Sequence, residues 1–242
     1  MTTEIPTMAP LTNVFLLYEL TERLRAREKH LPGIGVFNGF SGYGKTYATI
    51  YARGKTNGIY VEVGESWTKK TFCEKLAKEC GIVPKGLGVS GLVDEIVKSL
   101  ALSERPLFID EADKIIHKGF VDIVREIHDK SKTPVILIGE ENLPAAVEQN
   151  ERIHNRVLSF VLAQPVSLED TAHLAKLFVP KLNISPEVLE AIHKASGGRC
   201  RRICVSLSEV EEYAKLNGII EIKAGELDKI KLSSGRAERR RA

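Results

Sequence analysis

Apolar residues recur at three- and four-residue intervals from Leu11 to His30, where Val14, Leu17, Leu20 and Leu24 share one helical face. Leu31-Pro32-Gly33 ends that helix. The short apolar run Gly35–Asn38 has strand character, feeds a glycine-rich turn, and precedes a helix expected from Thr46 to Arg53. The β-branched run Ile59–Val63 predicts the next strand. Helices are expected from Thr68 to Cys80, closed by Gly81, and near Ser90 to Ser103. Pro106–Ile109 and Pro134–Ile138 read as fully apolar strands, separated by a helix around Lys118 to Asp129, and Leu158 to Ala163 reads as a last strand.

Continuous apolar strands alternating with helices imply an α/β fold: a parallel sheet sandwiched by helices on both faces. The alternation stops at Pro165. Ser167 with Asp170 resembles a capping box, and Ser185-Pro186-Glu187 opens a further helix because serine caps and proline suits the first helical position. Gly197-Gly198 stops that helix, and Arg201 to Leu216 makes another before Asn217-Gly218. The expected organisation is an N-terminal extension and helix over 1–30, an α/β domain over 31–165, a small all-helical domain over 166–232 and a basic tail over 233–242.

Composition narrows the class without naming a partner. The 242 residues are 43% hydrophobic and 28% charged, ordinary for a globular protein, and the net charge is only +3. Basic residues gather toward the C-terminus, where Lys229, Lys231, Arg236, Arg239, Arg240 and Arg241 stand against Asp228 and Glu238. Cys73, Cys80, Cys200 and Cys204 form no C-x-x-C pair, and the six histidines have no ligand spacing, so these residues indicate no metal site. No signal-peptide pattern and no run of about eighteen apolar residues is present, so a cytoplasmic protein with reduced cysteines and no membrane partner is expected.

Gly39-Phe40-Ser41-Gly42-Tyr43-Gly44-Lys45-Thr46 matches G-x-x-x-x-G-K-[ST] at every specified position. Glycines let backbone N–H groups converge on phosphate oxygens, and the following helix N-terminus adds its positive dipole end. Lys45 supplies a point charge to the β- and γ-phosphates, and the Thr46 hydroxyl is a Mg²⁺ ligand. These eight residues with Thr49 form the expected ATP-binding set. Asp110 and Glu111 end an apolar strand, which places two carboxylates at the sheet edge beside that loop. Asp110 suits Mg²⁺, and Glu111 suits the role of polarising the attacking water. After the next strand, Asn142 is a polar group able to orient that water, with helix capping as the alternative role. Two arginine clusters, Arg152 with Arg156 and Arg199 with Arg201 and Arg202, offer charge for phosphoryl transfer.

Together, the P-loop, the Asp-Glu-Ala-Asp strand end, the polar residue after the fourth strand, the edge arginines and the Gly-Gly-x-x-Arg segment resemble the AAA+ ATPases over about residues 31 to 220. Within them the chain looks like the initiator-type branch, most like the transposition target-selection ATPases typified by the phage Mu B protein. The stretches GIGVFNGFSGYGKT, PLFIDEADKI, PVILIGEEN, ERIHNRVLSF and GGRCRRICVSLSEVEEYA carry the likeness. The resemblance implies a helical lid domain, Arg156 as an arginine finger acting on a neighbouring subunit with Arg152 as the alternative, and Arg201 as the lid arginine with Arg202 second. It further implies ATP-dependent homo-oligomeric filaments on duplex DNA that deliver target DNA to a transposase, in a bacterial or phage-infected cytoplasm. A helicase-loader or replication-initiator role is the alternative.

In this family the helix after the second strand lines the filament bore. The resemblance therefore makes Thr68, Lys69 and Lys70 DNA-phosphate candidates, with Lys85 in the following loop as another. Trp67 is expected to pack inward. The Mu protein carries an N-terminal helix-turn-helix domain, and with some thirty residues before the first core strand no function that needs such a domain is expected.

Overall fold

The computed structural model describes residues 8–235. The chain divides into two compact units. One takes in residues 14–40 and 45–163; the other takes in the residues up to Asn13, the four residues Ser41–Gly44, and those from Gln164 onward.

The first unit is a five-stranded sheet with helices. Its elements are α1 (Thr12–Ala26, entering this unit at Val14), β1 (Ile34–Asn38), α2 (Lys45–Thr56), β2 (Ile59–Glu62), α3 (Lys69–Glu79), α4 (Val89–Ser103) and β3 (Leu107–Asp110). They continue with α5 (Asp113–His117), α6 (Val121–Ser131), β4 (Val135–Gly139), α7 (Leu143–Glu148), α8 (Glu151–His154) and β5 (Val157–Leu162). The strand order is β2-β3-β4-β1-β5, and every pairing is parallel. Ile34 to Asn38 of β1 run in register with Val135 to Gly139 of β4, so both strands end at the same level. Every residue of β1, β3 and β4 is buried, as continuous apolar strands covered on two faces require. Val14, Leu17, Leu20 and Leu24 of α1 are all 2% exposed or less.

Two stretches add short helices to the expected pattern. The helix expected around Lys118 to Asp129 is α6, and the five-residue α5 precedes it, set off where Gly119 takes a left-handed φ of 67°. The segment after β4 folds into the short α7 and α8, whose six and four residues are too few to show a helical period.

His128 of α6 is 5% exposed, and its Nδ1 donates to the Thr133 carbonyl at 2.8 Å. Burial lowers its pKa, the Thr133 bond opposes that shift, and the nearby Arg27 and Lys132 charges reinforce it while Asp129 works against it. A histidine whose folded pKa lies below its unfolded one contributes stability above about pH 6.5, and that contribution fades as pH falls. Urea unfolding is therefore expected to show stability declining below about pH 6.5, with His128→Gln flattening the decline.

The second unit contains α9 (Leu168–Phe178), β6 (Asn183–Ile184), α10 (Pro186–Ser196), α11 (Cys200–Asn217), β7 (Glu221–Ile222) and a 3₁₀ turn over Ala224–Lys229. The capping box is present: the Asp170 N–H donates to Ser167 Oγ and the Ser167 N–H to Asp170 Oδ2, both at 3.0 Å. Asp170 Oδ1 also accepts the Thr12 N–H at 2.9 Å, which ties the start of α1 to α9. The expected all-helical makeup needs one correction, because β6 and β7 pair in a two-residue parallel ladder. Strands this short carry no readable alternation. Among the described residues, no helix is long and apolar enough to cross a membrane.

Candidate nucleotide-binding site

The glycine-rich turn leaves β1 at Gly39, whose N–H donates to Gly139 at the end of β4 over 3.3 Å. Gly42 and Gly44 adopt φ of 88° and 85°, left-handed values that a side chain would strain. Such a turn aims consecutive N–H groups inward as an anion-binding concavity, and α2 begins directly after it. Lys45 Nζ donates to the carbonyls of Gly39 at 2.5 Å and Phe40 at 3.2 Å. Burial lowers the Lys45 pKa, while the carboxylates of Asp110, Glu140, Glu111 and Asp113 pull it back up.

Ser41–Gly44 is held from the second unit, in which it is counted. The Cys200 N–H donates to the Gly42 carbonyl at 2.7 Å, and Arg199 Nη1 donates to the Ser41 carbonyl at 2.6 Å. Asn13, 3% exposed, donates from Nδ2 to the carbonyls of Tyr43 and Gln164, both at 2.7 Å, and accepts the Gln164 N–H at 2.8 Å. An unpaired buried amide is costly, so these three bonds fix the carbonyl side of the turn. Sequence reading missed Asn13, since one polar residue on an apolar helix gives no motif. Thr49, expected among the nucleotide-binding residues, is fully buried and donates its hydroxyl to the Lys45 carbonyl at 2.9 Å. It braces the first turn of α2.

Asp110 stands at the end of β3, 4% exposed. Its Oδ2 accepts the Thr46 hydroxyl at 3.1 Å and the Tyr60 hydroxyl at 3.2 Å, and its Oδ1 accepts the Glu111 N–H at 2.9 Å. Burial raises its pKa and these three bonds lower it, with the Glu111 charge adding to the rise. A carboxylate in contact with the Thr46 hydroxyl offers hard oxygen donors that fit Mg²⁺ shared with phosphates. Tyr60 escaped sequence reading because alternation in β2 gives a face, and only pairing with β3 brings its ring to Asp110.

Glu111 takes φ of 57°, a left-handed conformation for a non-glycine residue, and its half-exposed side chain lies 3.2 Å from Lys114. Asp113 Oδ2 accepts the Glu140 N–H at 2.9 Å and so joins the ends of β3 and β4. A Cβ at Gly139 would overlap the Asp113 carboxylate and push it off that bond. Asn142 is exposed at the N-cap position of α7 without a side-chain capping bond, whereas Glu140 acts electrostatically on Lys45. Bound ATP–Mg²⁺ would supply the phosphoryl electrophile. In that state Lys45 and the turn amides would hold phosphate oxygens, Thr46 and Asp110 would hold the cation, and Glu111 would orient a water and accept its proton.

The arginines are placed differently from expectation. Asp129 grips Arg156 with two bonds, from Nε at 2.6 Å and Nη2 at 2.7 Å, and Arg156 Nη1 donates to the Arg152 carbonyl. Arg152 is 72% exposed with a single 3.6 Å contact to Asp122. Arg156→Ala is therefore expected to cost about 1 kcal/mol, a few degrees in melting temperature, and Arg152→Ala almost nothing by differential scanning calorimetry. In the second cluster Arg201 is exposed, Arg202 reaches the Ser196 carbonyl at 3.4 Å, and Arg199 is the member at the turn.

Thr68 caps α3 by accepting the Thr71 N–H at 3.2 Å, with Lys69 and Lys70 exposed beside it. Lys70 and Lys85 line one open groove of about 590 Å³, joined by Lys78, which sequence reading did not single out. Trp67 packs half-buried against the core. The arginines at 239–241 lie outside the described residues.

The family model described as AAA domain matches residues 27–147, half of the chain. The Orc1 protein of Aeropyrum pernix, solved in complex with DNA, is similar in fold with a TM-score of 0.64 at 17% identity, over 95% of this chain and 66% of its own. Cdc6p from Pyrobaculum aerophilum gives 0.62 at 16% identity, over 92% and 66%. A STAND signal-transduction ATPase with a tetratricopeptide repeat sensor, from Pyrococcus horikoshii, gives 0.51 at 16% identity, over 77% and 29%. The chain thus spans just under two thirds of the length of the two initiator structures. No curated protein matches it. A matching family model over half the length, on the P-loop and the Asp110–Glu111 strand end just described, shows that the chain belongs to the AAA domain family of nucleotide-hydrolysing ATPases.

Proposed function

We propose that this protein is an ATP-switched AAA+ ATPase that acts on DNA in the manner of replication initiators and helicase loaders. The observation that carries the reading is one α/β unit holding both the Lys45–Asp110–Glu111 hydrolysis set and a separate groove faced by Lys70, Lys78 and Lys85. The likeness in fold to an Orc1 protein solved with DNA supports it. Phosphate contacts from such lysines give sequence-tolerant, salt-sensitive affinity. ATP binding strengthens DNA affinity through a homo-oligomer, and hydrolysis, stimulated by DNA or a partner protein, releases it. Arg152 is the finger that reaches a neighbouring subunit, since it is the less restrained of the pair, and Arg199 is the lid arginine. Arg152→Ala then removes concentration-dependent hydrolysis and spares ATP binding.

Fluorescence anisotropy with duplex, forked and single-stranded DNA, with and without ATP, tests the reading. ATP is expected to tighten binding, and Lys70→Glu with Lys85→Glu is expected to weaken it at unchanged ATP affinity. DNA affinity indifferent to both ATP and these lysines would sink it.

The second reading is delivery of duplex target DNA to a transposase. It rests on Thr68, Lys69 and Lys70 standing at the start of α3, where the resemblance puts bore contacts. Negative-stain images decide between the two. Continuous ATP-dependent filaments on duplex DNA favour delivery, and discrete assemblies with a preference for forks favour loading.

A further inference from the structure

At the sheet edge where the strands begin, opposite the P-loop, a cavity of about 270 Å³ opens between the ends of α1, α4 and α6. Four of its lining residues are cations, Arg25, Arg27, Lys29 and Lys132, against one acid, Glu104. Helix C-termini explain part of this, because backbone carbonyls there attract cations. Arg27 does answer two such carbonyls, donating from Nη1 to Leu24 at 2.6 Å and from Nη2 to Lys132 at 2.7 Å. Its guanidinium lies over Gly33, where any Cβ would displace it.

Carbonyl capping leaves two donors unexplained. Arg27 Nε is buried without a hydrogen-bond partner among the described residues, and so is Oγ1 of Thr133, a residue only 2% exposed that lines the same cavity. Buried donors left unpaired are costly and call for an acceptor. Burial lowers the Arg27 pKa, which is the cost of a desolvated cation. Of the flanking cations, Lys29 is loosely engaged, meeting Glu104 at 3.5 Å with both more than three quarters exposed, while Arg25 pairs with Glu22 at 2.6 Å along α1.

We propose that this cavity binds a phosphate group, with Arg27 Nε and Thr133 Oγ1 donating to its oxygens and Arg25, Lys29 and Lys132 supplying charge. Guanidinium and hydroxyl donors around one anion are the usual chemistry of phosphate recognition. The volume lies just under the range of about 300–1,000 Å³ for whole drug-sized ligands, so a single phosphate suits it better than a nucleotide. That phosphate comes either from a small phosphate compound or from a DNA backbone that passes this edge.

The test uses the full chain with ADP–Mg²⁺ saturating the P-loop. In one arm, inorganic phosphate is titrated by calorimetry; in the other, duplex DNA is titrated across a salt series. Two variants are compared with the parent, Arg25→Gln with Lys29→Gln at two exposed positions, and Thr133→Val, each with circular dichroism as the fold control. A free-phosphate site predicts phosphate binding that each variant weakens about tenfold or more at unchanged ADP affinity. A DNA-backbone site predicts weaker duplex binding and a log–log salt slope reduced by about one. Loss in either arm supports the site and identifies its source. Equal titrations for parent and both variants, in both arms, overturn it.

Discussion

Lys45→Ala lowers ATP affinity by about 30-fold to a few thousand-fold while the fold is retained. The expectation follows from what Lys45 touches. Its ammonium sits among the carbonyls of Gly39 and Phe40 and under the influence of four carboxylates, in a place where burial already depresses its pKa. A phosphate chain there would take the place of those carbonyls as its partner. Removing one member of a desolvated charge pair costs about 2–5 kcal/mol, which is that range of affinity. Stability changes little, since the two carbonyl bonds are short-range and lie near the surface of the turn. Calorimetric titration of ATP, with circular dichroism as the fold control, checks it. Unchanged ATP affinity would mean that the turn does not bind the triphosphate.

Glu111→Gln is expected to slow hydrolysis about 10²- to 10⁴-fold, the usual worth of a general base, with ATP affinity held within a few-fold. The amide keeps the size of the side chain and its hydrogen-bonding reach but accepts no proton. The backbone supplies an independent check. Glu111 is held at φ 57° with its N–H bonded to Asp110 Oδ1, and a left-handed non-glycine residue costs about 1–3 kcal/mol. Glu111→Gly relieves that strain. It should raise the melting temperature while abolishing turnover as completely as glutamine does. If both variants hydrolyse ATP at the parent rate, the carboxylate has no part in the chemistry. If glycine lowers stability, the strain is not there.

The arginines separate the two kinds of information. Sequence spacing put Arg152 and Arg156 at one edge and Arg199, Arg201 and Arg202 in one cluster, and a family resemblance ranked them. Their availability depends on neighbours far along the chain. Asp129, twenty-seven residues before Arg156, clamps it, and Ser41 draws in Arg199 across 158 positions. Tyr60 and Asn13 were overlooked for the same reason, because their partners Asp110, Tyr43 and Gln164 are distant in sequence. The five-residue α5 and the β6–β7 ladder lay below the length at which periodicity can be read.

The parallel α/β order, the phosphate-binding turn and the two acids at the end of β3 could be read from residue order alone. Those features are local: a strand's apolar run, a glycine's freedom at positive φ, and a carboxylate one residue past a buried strand are written within a few adjacent positions. Packing set which hydroxyls meet Asp110, which arginine is gripped and which is loose, that Thr49 faces inward, and that four cations and two donors unpaired among the described residues share a cavity at the far edge of the sheet. Each of these depends on strand pairing and helix packing between distant segments, where a hydrogen bond of about 3 Å leaves no trace in the spacing of residues along the chain. The P-loop was legible because its chemistry lies within eight consecutive residues, and the two acids because they end an apolar strand; Asn13 and Tyr60 were not, because their partners lie far along the chain.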